Sequence, residues 1–89
     1  MYDYQTSLPA YKEAKQNINK KQQDVLDAIE KLGVCCDHQI AEHLVWPINR
    51  VTPRRGELVD AGKIHIAFRG KDFETGRTVN FWKISNFIL

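Results

Sequence analysis

The spacing of hydrophobic positions changes once along the chain, from a helical period before Gly62 to a two-residue period after it. Val25, Ile29 and Leu32 fall at i, i+4 and i+7, with Leu26 widening the stripe, which predicts an amphipathic helix. Asn19 and Gln22 ahead of it fit a capping box, and Gly33 ends it. A shorter pattern over His38 to Leu44 puts Ile40, Ala41 and Leu44 on the apolar side, with Asp37 as the expected N-cap. Val45, Trp46 and Pro47 form a turn. A third pattern runs from about Asn49 to Ala61 with Val51, Leu58 and Val59 inward, and Gly62 is placed to close it in the left-handed conformation.

Beyond Gly62, Ile64, Ile66 and Phe68 alternate with Lys63, His65 and Ala67, the pattern of a half-buried strand. Thr78 to Ile84 is rich in β-branched and aromatic residues and predicts its partner, joined through a Gly-flanked loop from Arg69 to Arg77. The second strand offers two apolar faces, Val79 with Phe81 and Trp82 with Ile84, so both can be covered. One core is expected from Val25, Ile29, Leu32, Ile40, Leu44, Val51, Leu58, Ile64, Ile66, Phe68 and Phe81.

Two short helices, a tight turn and a basic second helix read as a helix-turn-helix, a motif that lays its second helix in the DNA major groove. The segment resembles that of winged-helix regulators, with Ala41 at the helix crossing and Ile40, Leu44, Trp46 and Val51 around it. The run from Val51 through Pro53, Arg54, Arg55, Gly56, Leu58 and Gly62 to Ile64 is similar to small winged-helix proteins of bacteriophage genomes. The resemblance spans roughly Asn19 to Ile84. It implies an α+β winged helix: a three-helix core and a β-hairpin wing over 19–84, an arm or short helix over 1–18, and an apolar tail over 85–89. It also implies that Val34, Cys35 and Cys36 form a short strand paired with the wing.

Three residues depart from that pattern. Val45 stands where the turn usually carries Gly, although a left-handed backbone is costly for a β-branched side chain. Arg54 occupies a usually buried apolar site. Pro53 falls inside the expected recognition helix, where proline removes a hydrogen bond. Either the helix begins between Ile48 and Asn49, as the family register favours, or Thr52 is its N-cap and Pro53 its first residue.

The 89 residues suit one domain, with 43% hydrophobic and 27% charged side chains. A net charge of only +2 means that any basic surface must be local. No apolar run approaches a membrane span and the first residues lack a signal-peptide pattern, so a cytoplasmic protein is expected. Cys35 and Cys36 are adjacent and poorly placed to bridge each other. His38 and His43 are five apart, on different helix faces, so no metal site is expected. Without a phosphate loop, a nucleophile with a histidine partner, or paired carboxylates, neither catalysis nor a cofactor is expected.

The leading expectation is a transcriptional regulator or accessory factor that binds double-stranded DNA. Arg50, Arg54 and Arg55 crowd the front of the third helix, with Asn49 and Thr52 available to base edges or phosphates. Arg69, Lys71 and Arg77 in the wing, against Asp72 and Glu74, would touch the backbone. Lys20 and Lys21 offer a further phosphate contact. The alternative for the arginines is a solvated face with an Arg54–Glu57 pair. The alternative for the whole domain is a protein-interaction module that binds a host protein. Phe87, Ile88 and Leu89 either fold back on the domain's core or make a dimer contact, and with Tyr2 and Tyr4 these apolar ends suggest a homodimer.

Overall fold

The structure, a computed structural model, describes residues 18–85. Three helices, α1 (Lys20–Leu32), α2 (Asp37–Leu44) and α3 (Ile48–Asp60), precede an antiparallel hairpin of β1 (Ile64–Lys71) and β2 (Thr78–Ile84). The architecture is α+β. The expectations for 1–17 and for Phe87, Ile88 and Leu89 lie outside the described residues.

Helix α1 starts as its sequence predicts. The Gln22 N–H donates to Asn19 Oδ1 at 2.8 Å, and the Asn19 N–H donates to Gln22 Oε1 at 3.0 Å. Val25, Leu26, Ala28 and Ile29 are buried. Leu32, expected in the core, is 39% exposed, because the helix ends there and Gly33 turns the chain away at a φ of 87°. Helix α2 begins one residue earlier than expected. Cys36 is its N-cap, and the Cys36 N–H donates to Gln39 Oε1 at 3.0 Å. Asp37 is the first helical residue rather than the cap, so its carboxylate is free to face α3.

Helices α2 and α3 close with the same pair of hydrogen bonds. At the end of α3 the Lys63 N–H reaches Leu58 O and the Gly62 N–H reaches Val59 O, both at 2.9 Å, around a left-handed Gly62. At the end of α2 the Trp46 N–H reaches Ala41 O at 2.9 Å and the Val45 N–H reaches Glu42 O at 3.3 Å. Val45 is accordingly left-handed, at φ 58° and ψ 46°. The strain, of order 1–2 kcal/mol, is offset by what the turn achieves. It brings Trp46 and Ile48 against the core while the Val45 side chain points to solvent.

Helix α3 starts at Ile48, the earlier of the two expected starts, so Pro53 lies inside it. Proline cannot donate to the carbonyl four residues earlier, which here belongs to the exposed Asn49. Gly56 adds a further helix penalty of about 1 kcal/mol. Packing through fully buried Val51 and Leu58 holds the helix in place against both. Pro53→Ala should therefore raise stability by about 1–2 kcal/mol, the helix gain less the entropy that proline removes from the unfolded chain. Chemical denaturation checks this, and an unchanged midpoint would mean that the helix is not strained at Pro53.

The hairpin register explains why the alternating pattern misassigns β1. Ile64 pairs with Ile84 and Ile66 with Trp82, but after a bulge Phe68 pairs with Phe81. Facing residues of an antiparallel pair share one side of the sheet, and neighbours on a strand take opposite sides. The bulge therefore moves Phe68 to the side opposite Ile66. Ile66 and Phe68, both expected in the core, are 49% and 51% exposed, and Phe81 is only half-buried. Trp82, at 5% exposure, fills the core instead. On the outer side Phe68 stacks on Phe81, with ring centroids 4.7 Å apart, beside Gly70.

The expected short strand before α2 shrinks to one residue. Cys35 exchanges backbone hydrogen bonds with Trp82, donating to its oxygen at 3.1 Å and accepting from its N–H at 2.7 Å. Cys35 and Cys36 are buried free thiols. Burial, with Cys36 and Asp37 beside it, pushes the Cys35 thiol up to about 12, which keeps it protonated and unreactive near neutrality.

Candidate nucleic-acid interface

The arginines of α3 do not share one open face. At about 100° of rotation per residue, Arg54 and Arg55 flank the buried Val51–Leu58 line on opposite sides. Arg54 Nη2 donates to Glu57 Oε2 at 2.8 Å, and Glu57 Oε1 accepts from Gln22 Nε2 at 2.7 Å. This chain ties α3 to the capping residue of α1. Arg54 Nε is buried without a hydrogen-bond partner, a cost of placing a guanidinium beside the buried line of α3.

Arg55 is engaged more fully. Its Nε donates to Asp37 Oδ1 and its Nη2 to Asp37 Oδ2, both at 3.0 Å. Its guanidinium lies over the Trp82 ring, 4.5 Å from the centroid. Asp37 also accepts from Thr52 Oγ1 at 3.0 Å. One side chain thus joins the start of α2, the middle of α3 and strand β2. The side chains of Arg55 and Asp37 are only 20% and 18% exposed.

What remains open on α3 is mostly uncharged. Asn49, Thr52, Pro53, Gly56 and Asp60 form the side facing away from the core, by the same rotation. Asn49, Thr52 and Pro53 are exposed, and Gly56 has open space above its Cα. Arg50 is exposed at the edge of this side, with its guanidinium 5.3 Å from the Trp46 ring centroid.

The hairpin completes the surface. A groove of about 370 Å³ runs between it and the front of the two helices, lined among others by Thr52, Arg55, Arg69, Thr78 and Asn80. Arg69 is exposed and donates to Asn80 Oδ1 at 2.9 Å. Lys71 and Arg77 are exposed near the tip. Among the described residues, Arg50, Arg69, Lys71 and Arg77 form no ion pair.

The tip is fixed by Asp72, which the sequence offered only as a surface acid. It is 3% exposed. Its Oδ1 accepts from the Glu74 N–H at 3.0 Å and its Oδ2 from Thr75 Oγ1 at 3.2 Å. His38 Nδ1 on α2 lies 2.6 Å from Oδ2, so with Asp72 ionised it is this ring nitrogen that donates. Burial works against the charge, but the Glu74 N–H, His38 and Thr75 outweigh it and hold the carboxyl below its ordinary value.

Asp37, His38, Asp72, Asn80 and Trp82 are thus the residues that sequence reasoning missed. Their side-chain bonds across the fold join residues 11 to 34 positions apart, which leaves no local signal. Only Asp72 also has near partners, the Glu74 N–H and the Thr75 hydroxyl two and three residues on, a turn pattern that the sequence could have offered. The described residues contain no group of three potential metal ligands and no helix long and apolar enough to cross a membrane. No family model matches the chain, and no curated protein matches it in sequence.

Proposed function

We propose that this chain is a winged-helix protein that binds double-stranded DNA, as a phage-type transcriptional regulator or accessory factor. The observation that carries the reading is the distribution of uncompensated charge. Arg50 on α3 and Arg69, Lys71 and Arg77 on the hairpin are exposed without acidic partners among the described residues, on elements that border one groove. The front of α3 enters the major groove, with Asn49, Thr52 and Arg50 nearest the base edges. The hairpin cations lie along the phosphates and set the orientation. Arg54 and Arg55 act within the fold, because their charges are already matched by Glu57 and Asp37.

Titration against random duplex and against a selected site, at several salt concentrations, tests the reading. Replacing Arg69, Lys71 or Arg77 by Ala should weaken binding to all sequences alike and reduce the salt slope by about one unit each. Replacing Asn49 or Arg50 should cost about 1–3 kcal/mol and relax preference at one position. Absence of wild-type binding at low salt, where phosphate electrostatics are strongest, would overturn the proposal. The second reading, a module that binds a host protein, is favoured by the small, mostly uncharged outer side of α3. It predicts capture of a protein partner that is lost when Gly56 is enlarged.

A further inference from the structure

The bulge in β1 gives the hairpin two unlike sides. Arg69, Thr78 and Asn80 border the groove beside α3. The opposite side carries the Phe68–Phe81 stack, with Phe68 51% exposed. A methyl group at Gly70 would approach the Phe68 and Phe81 rings to 3.0 and 3.2 Å, so the rings lie close over the bare glycine. Toward the tip the patch continues to Phe73, 95% exposed. There, a dent of about 110 Å³ is lined by Phe73, Phe81, Glu42 and Glu74 among others.

The charges on this side are divided between its two ends. His65 and Lys83 pair across the base of the hairpin, and by alternation Lys83 lies on the same side as Phe81. Glu42 and Glu74 lie at the tip end. Lys83, Glu42 and Glu74 are exposed and form no ion pair among the described residues. Lys83 at the base, the aromatic rings in the middle and the two acids lining the dent, where neither Lys71 nor Arg77 reaches, make a strip that complements itself when turned end for end.

We infer that the outer side of the hairpin is a homodimer interface, formed with a second copy of this chain about a two-fold axis through the Phe68–Phe81–Gly70 patch. In that arrangement each contact occurs twice. Lys83 of one copy meets Glu74 of the other, and the exposed aromatic rings cover one another in the centre. An acidic nucleic-acid partner does not fit this side, because Glu42 and Glu74 flank its aromatic end. The interface leaves the outer side of α3 and the groove open, so it does not depend on the DNA-binding reading.

Charge reversal tests the inference without disturbing the hairpin's own packing. Sedimentation of the full chain across a concentration series should show reversible dimerisation. Lys83→Glu and Glu74→Lys should each shift it at least tenfold toward monomer, with unchanged circular dichroism. Mixing the two variants should restore dimer, because every Lys83–Glu74 contact then again joins opposite charges, and so should the double variant. A wild-type monomer at the highest soluble concentration would overturn the inference. So would a dimer that ignores both reversals, or one abolished only by removing 86–89, since either places the interface elsewhere.

Discussion

Arg55→Ala should lower the stability of the domain by about 2–3 kcal/mol, a large effect for an arginine on a helix surface. Removing one partner of a buried ion pair costs about 3–5 kcal/mol, and the residual exposure of Arg55 and Asp37, 20% and 18%, reduces that figure. The contact with the Trp82 ring, 4.5 Å from its centroid, adds about 0.5–1 kcal/mol where solvent still reaches it. The loss is concentrated in one side chain because Arg55 joins three elements. Without it, Asp37 keeps only the Thr52 hydroxyl among the described side chains, and Trp82 loses the guanidinium over its ring.

Arg55→Lys should recover less than half of the loss, since an ammonium group neither makes the two parallel bonds nor lies flat on the indole. Chemical denaturation of both variants, with Asp37→Ala in a double-mutant cycle, measures the coupling. An unchanged midpoint for Arg55→Ala together with weaker DNA binding would mean that Arg55 faces outward as a groove-reading residue.

That prediction reverses what the sequence alone implies for the same position, and the reason is physical. The helices were legible because caps and apolar spacing are local: Asn19 with Gln22, Gly33, Gly62 and the buried Val25, Ile29, Val51 and Leu58 all lie within a turn or two of what they organise. Three cations close together, Arg50, Arg54 and Arg55, with no acid among them, also have a local reading, an open basic face. That reading omits Asp37, 18 residues before Arg55, whose direction is set by Cys36 taking the cap and leaving Asp37 inside the helix. The hairpin was legible as a hairpin but not in its faces. One bulge between Ile66 and Phe68 inverts every side chain beyond it, and no residue type in that stretch announces it.

The two tight helix ends show the converse, a case where sequence chemistry argued against the conformation and packing decided it. Gly62 and Val45 close their helices with equivalent bonds. Only the glycine was predictable. At Val45 the left-handed strain is small beside the burial of Ile40 and the docking of Trp46 and Ile48, which no right-handed continuation of α2 would permit.

Asp72→Ala should have the second large effect, about 2–4 kcal/mol of stability, because several charge-assisted hydrogen bonds depend on one buried carboxylate. The tip would lose the bonds from Glu74 and Thr75, and α2 would lose its hold on the hairpin through His38. The pH dependence has a definite sign. The Asp72 carboxyl is held below its ordinary value in the folded protein. Its stabilisation is therefore fully present above the unfolded value of about 3.9 and is lost as the pH falls through the lower folded value. Asp72→Asn keeps an acceptor for the Glu74 N–H but removes the charge. Its stability should be lower near neutrality and should fall less steeply than the wild type's below about pH 4. Urea denaturation at a series of pH values, with amide exchange at Glu74 and Gly76 to read the tip directly, makes the comparison. Parallel acid limbs for the wild type and Asp72→Asn would show that another carboxylate governs acid stability. Unchanged exchange at Glu74 in Asp72→Ala would show that the tip is held without Asp72.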